Sequence, residues 1–234
     1  MESILNKLKH SILDLEGYKP SLGYVCNVKP FQYAFPNNTF PIGAIHEIIC
    51  TSQEGSASSV GFITALLASA LKQHTCLWIT QNINVFPPAV KLFGLDPEKF
   101  IFIKTSNNKE TLWTIEEALK CEHLIAVVGE TKSIDFTASR RLQLAVEDSN
   151  VNGFIIRNNP INIIASIARW KITSLPSESL DGLPGVAFPR WNVELLKVRN
   201  GKPQSWQVEW SDNKFNSIAQ DTYSISSEKL YKVG

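Results

Sequence analysis

No two cysteines of the 234-residue chain stand at CxxC spacing; Cys26, Cys50, Cys76 and Cys121 are scattered along it. That excludes a zinc-ribbon type of centre and a disulfide framework, and it reads as buried thiols in a reducing compartment. An uninterrupted apolar run of roughly 18 residues is also missing. Residues 1–17, MESILNKLKHSILDLEG, carry charges throughout and no apolar leader core. Neither a membrane span nor a secretory signal is expected, so the chain is placed in the cytoplasm without a membrane partner. Charge of one sign is lacking too: 23 basic and 22 acidic residues give a net +1. A protein that coats DNA through phosphate contacts needs a basic excess, so any nucleic-acid contact is local. There is no GxSxG elbow, and His10, His46, His74 and His123 do not cluster at ligand spacing. No nucleophilic hydrolase, no metal and no cofactor is expected.

What is present is an ordinary globular composition, 44% hydrophobic and 19% charged, with enough apolar surface for one sizeable α/β core. Short β-branched or aromatic runs at residues 44–50 (AIHEIIC), 76–80 (CLWIT), 100–104 (FIFIK), 123–129 (HLIAVVG) and 153–157 (GFIIR) predict buried strands. Helical periodicity falls between them, at 60–73, 87–93, 110–120 and 138–148, and again at 160–168. Alternation of this kind specifies a mostly parallel sheet flanked by helices. Three further strands, 170–175, 191–199 and 205–210, with Asn200-Gly201 between the last two, predict an antiparallel C-terminal extension. Trp191, Trp206 and Trp210 need apolar cover, so this hairpin is expected to fold onto the core. The domain reading is a helix and loop over 1–39, a core over 40–211 and a loosely held tail over 212–234.

The first strand-to-helix turn of a parallel sheet is where phosphates bind, because helix N-terminal N–H groups point outward there. Here it reads CTSQEGSASSVGF, residues 50–62. A working loop follows GxxxxGK[ST], the Lys neutralising phosphates and the hydroxyl holding magnesium. This one has Gly55 and Ser56, then Ala57 for the second Gly, Ser58 for the Lys and Ser59 for the hydroxyl. Downstream, the strand that should end in a magnesium-holding Asp ends in Gly129, followed by Glu130. Gln81 and Asn82 stand where an acid would activate water. Taken together, these losses predict a degenerate phosphate loop and no catalytic residues.

The segment FPIGAIHEI (40–48), the degenerate loop and TCLWIT (75–80) resemble the RecA core. SRRLQLAVED (139–148), ARWKITSLPS (168–177) and FPRWNVELLKVRNGKPQSWQVEW (188–210) resemble the ImuA family within it. The resemblance implies a RecA-like α/β fold and a non-catalytic accessory role in damage-induced translesion synthesis, within the SOS response. The partners it implies are an ImuB-like polymerase homologue and an error-prone replicative-type polymerase subunit, with single-stranded DNA as a further candidate. A second reading is a SulA-like cell-division inhibitor that binds the FtsZ subunit. A third is a cryptic ATPase, which requires Glu130 or a neighbouring subunit's arginine to restore the missing charge.

Five residues are candidate partner or DNA contacts. Leu8 sits in the apolar stripe of an N-terminal amphipathic helix that fits a groove on another chain. Arg140 and Arg141 are adjacent on a helix, about 100° apart, so at least one is free of the core. Arg169 and Arg190 each precede a tryptophan at a strand start. Alternation lets Trp bury while Arg projects, and such pairs can stack and neutralise a single strand. Packing of the tryptophans is the commoner outcome.

Overall fold

The computed structural model describes residues 28–68, 75–82, 87–177 and 187–218. Leu8, His10, Cys26 and His74 lie outside them, and so does the N-terminal helix expected around Leu8. Nine strands are described: β1 Ile45–Cys50, β2 Thr75–Thr80, β3 Phe100–Lys104, β4 Leu124–Thr131, β5 Asn152–Asn158, β6 Ala168–Leu175, β7 Arg190–Val198, β8 Gln204–Ser211 and β9 Lys214–Ser217. Three α-helices accompany them, α1 Gln53–Ala68, α2 Asn108–Leu119 and α3 Phe136–Ser149. The strands form one sheet in the order β3-β2-β4-β5-β1-β6-β7-β8-β9. Strands β3 to β6 along that order are parallel, and β7, β8 and β9 are antiparallel. The expected mixed architecture is therefore present. One detail differs: β6, read as the start of the antiparallel extension, is parallel to β1 and antiparallel only to β7.

Because successive strand residues face opposite ways, the sheet has two separate cores. One face carries Ile48, Trp78, Phe154, Trp170, Trp191 and Phe62 of α1. The other carries Ile45, Ile79, Val127 and Ile155 under Ile115 of α2 and Val146 of α3. Phe31 and Phe35, in a stretch read only as loop, close the first face; Phe31 is fully buried and stacks edge-on with Phe62, Trp206 and Phe215. The β7–β8 turn at Asn200, with φ 56°, brings Gly201 so near that an added Cβ would lie 2.3 Å from the Ala34 carbonyl oxygen. Trp191 and Trp210 are buried and Trp206 packs against the same core, as the need for apolar cover required.

Three expectations are corrected. Residues 160–168 form no helix; 159–167 are an irregular connection that leads into β6. Residues 87–93 are a 3-10 helix, Pro87–Phe93. The stretch after Asp212 begins with order, because Asp212 and Asn213, both at positive φ, turn the chain into β9. No helix among the described residues is long and apolar enough to cross a membrane.

Candidate functional site

At the C-terminal end of β1 only Thr51 and Ser52 separate the strand from α1. Gly55, Ser56, Ser58 and Ser59, read as a degenerate phosphate loop, lie inside the helix. The helix starts early because Ser52 caps it: its Oγ accepts from Gly55 N–H at 3.0 Å. The side chains then tie themselves inward. Ser59 Oγ donates to the Gly55 carbonyl at 2.7 Å, and Cys50 Sγ lies 3.3 Å from the same hydroxyl. Ser58, at the position of a phosphate-binding lysine, is buried. A cradle of outward amides needs several non-helical residues, and here two residues and a self-satisfied cap take its place.

At the end of β4 the alternation decides which residue faces α1. Gly129 faces away from it: an added Cβ would lie 2.2 Å from Ile115 Cδ1 of α2. Gly129, read as the degenerate magnesium position, therefore packs under α2, and it is Glu130 that lines a pocket of about 510 Å³ with Gln53, Ser56 and Phe93. An acid is present there after all, but it is tethered. Trp78 Nε1–H donates to one oxygen at 2.9 Å and Thr80 Oγ1 to the other at 3.1 Å. Burial pushes the Glu130 carboxyl up, against the pull of those two hydrogen bonds. Glu54 adds a second carboxylate in the first turn of α1, accepting from Ser174 Oγ. Gln81 Nε2 donates to Thr111 Oγ1 at 3.4 Å.

Gly129 is thus a packing residue. Gly129→Ala should cost about 1–3 kcal/mol, because Ile115 is fully buried and has nowhere to retreat. Urea unfolding followed by tryptophan fluorescence measures it; an unchanged midpoint would contradict the close approach.

The basic candidates fare differently. Arg141 is exposed and ion-pairs with Glu116 of α2 at 3.2 Å. Arg190 pairs with Glu209 across the β7–β8 ladder at 2.7 Å. Arg169 donates from Nε to Glu47 at 2.7 Å, with its side chain 20% exposed. Trp170 and Trp191 are buried beside Arg169 and Arg190, so in both dipeptides the ring packs into the core. Arg140 alone of the described four is exposed and has no ion-pair partner among the described residues. The structure does not gather these cations into one site.

A buried charge cluster escaped the sequence reading. Glu47 is fully buried in β1 and holds Arg157 of β5 as well as Arg169 of β6, at 2.6 Å and 2.7 Å. Arg157 also donates to the Asn162 carbonyl at 3.1 Å and to the Asn162 side chain. Asn162 Nδ2 donates to the Ile134 carbonyl at 2.8 Å. The cluster pins the β5–β6 connection onto the sheet.

The described residues thus define an α/β protein with a largely parallel sheet, in which α1 begins two residues after β1 behind a capping serine. No family model matches the chain. It is 30% identical to Protein ImuA of Caulobacter vibrioides, in strains NA1000 and CB 15 alike, over 75% of this chain and 78% of the relative. A crystal structure of SulA from Pseudomonas aeruginosa is similar at a TM-score of 0.42 and 16% identity, over 49% of this chain and 98% of that one. The chain belongs to the ImuA family.

Proposed function

We propose that the chain is a non-catalytic accessory protein of damage-induced translesion synthesis, with a RecA-like frame, acting through protein contacts with an ImuB-like polymerase homologue. Family membership supports the setting. The strand order, with β1 between β5 and β6 and α1 following directly, supports the frame. The observation that carries the non-catalytic part is the β1–α1 junction. A triphosphate placed there meets the Glu130 carboxylate and no lysine or arginine from residues 50–61. A carboxylate stands there where a working site supplies positive charge.

Purified protein should capture the polymerase homologue in a pull-down. In calorimetry with magnesium and ATP, no saturable heat should appear up to millimolar nucleotide, and ATP should leave the thermal melt unmoved. A ligand bound only by the folded state at 100 times its dissociation constant would stabilise by roughly 2.7 kcal/mol, which a melt detects easily. A clear upward shift with ATP would overturn the claim that the junction rejects a triphosphate, and failed capture would overturn the partner reading.

A further inference from the structure

The β5–β6 connection exposes apolar side chains. Asn162, itself exposed, accepts from the buried Arg157 through its carbonyl and its side chain. Its neighbours Ile161 and Ile163 point out, with relative exposures of 103% and 62%. The arrangement is fixed and not a frayed loop, because Ile164 is fully buried and Ala165 N–H donates to Ser139 Oγ at 2.9 Å. Alongside, a pocket of about 210 Å³ opens between the first turns of α3, residues Ile164 to Ile167 and the end of β7. Phe136, 58% exposed, stands at its rim. Arg140, Lys197 and Arg199 also line it, no carboxylate does, and none of the three is ion-paired to a described residue.

Exposed β-branched side chains on the connection that leads into a pocket lined by cations without an ion-pair partner among the described residues are the marks of a recognition surface. The geometry points to a docking site for an acidic, apolar-tipped peptide segment of a protein partner: its carboxylates pair with Arg140, Lys197 and Arg199, and an aromatic or aliphatic side chain enters the pocket. The volume suits that role, since an engineered cavity of roughly 150 Å³ accepts benzene. A nucleic acid fits less well. Isoleucines offer no ring for a base to stack on, Phe136 is the single exposed aromatic at the site, and the whole chain carries a net charge of only +1. The segment belongs, on the accessory-protein reading above, to the polymerase homologue.

The test uses the full chain, fluorescently labelled 15-residue peptides tiling the polymerase homologue, and a labelled oligothymidylate. Acidic, apolar tiles should bind and should weaken at least tenfold, about 1.4 kcal/mol, with Ile161→Asp/Ile163→Asp and, separately, with Lys197→Glu/Arg199→Glu. Reversing the acidic residues of a bound tile to lysine should restore binding to the second variant. Capture of the intact homologue that neither variant weakens would overturn this surface while leaving the partner reading standing. Failure to capture the homologue at all would bring down both. Oligothymidylate binding that falls with the charge reversal but ignores the isoleucine changes, with no tile bound, would replace the peptide by nucleic acid.

Discussion

Glu47→Gln should be strongly destabilising, costing about 3–5 kcal/mol, a large part of the roughly 5–15 kcal/mol available to a domain. The substitution keeps the size of the side chain and one acceptor oxygen, so the loss isolates the charge. Glu47 is the only carboxylate paired with Arg157 and Arg169 among the described residues. The cluster already holds two cations against one anion, and Arg157 Nε and Arg169 Nη2 have no hydrogen-bond partner among the described residues. Without the carboxylate, Arg157, 2% exposed, becomes an uncompensated buried charge next to another guanidinium. Arg169→Met should cost much less, because Glu47 still neutralises Arg157 and the Arg169 side chain reaches solvent. Replacing all three by apolar residues of similar volume is expected to be near neutral or stabilising. Urea unfolding of the four proteins gives the comparison. A Glu47→Gln cost below about 1 kcal/mol, or equal costs for Glu47→Gln and Arg169→Met, would show that the cluster is not the anchor of the β5–β6 connection.

That cluster also marks the limit of sequence reading. Strand β3 was legible to the residue, and β1, β2 and β5 to within one residue at each end, because a buried parallel strand writes itself as a continuous apolar run. Glu47 and Arg157 are 110 residues apart and Glu47 and Arg169 122 apart; no spacing rule connects them. The start of α1 was misread for a different reason. QEGSASS looks like a loop by composition, yet Ser52 caps the helix on Gly55 N–H, and Gly55, Ser58 and Ser59 are buried where it packs on the sheet. Tertiary packing overrides propensity there. Strand β9 did have a local signal that went unread: Asp212-Asn213 is a two-residue turn with both residues at positive φ, and Phe215 follows it to pack 4.9 Å from Trp210. Of the candidate site, the loss of the lysine was legible, whereas the face on which Gly129 and Glu130 lie needed the register of β4.

Acidification should unfold the protein through His46. The ring is fully buried, stacked 4.8 Å from Phe40 and 5.3 Å from Phe154. Its Nδ1 accepts from Trp170 Nε1–H at 3.3 Å, so the proton resides on Nε2, 3.2 Å from the Pro41 carbonyl that accepts it. Both nitrogens are satisfied by the neutral ring, and burial lowers its pKa from 6.5 to about 4, against the Pro41 contact. A folded-state pKa below the unfolded value means that the unfolded chain binds the proton first. The contribution is therefore complete above about pH 6.5 and is lost as pH falls towards 4, by about 3 kcal/mol. Glu130 acts in the opposite sense, because burial raises its carboxyl and the folded state favours the protonated form; it gains as pH falls and blunts the decline. Urea midpoints at pH 7.5 and pH 4.5 should therefore drop for the wild type, drop further in Glu130→Gln, and draw together in His46→Phe, whose plateau is lower for the loss of the Trp170 and Pro41 hydrogen bonds. If His46→Phe keeps the full wild-type acid slope, the proton uptake that unfolds the chain occurs elsewhere.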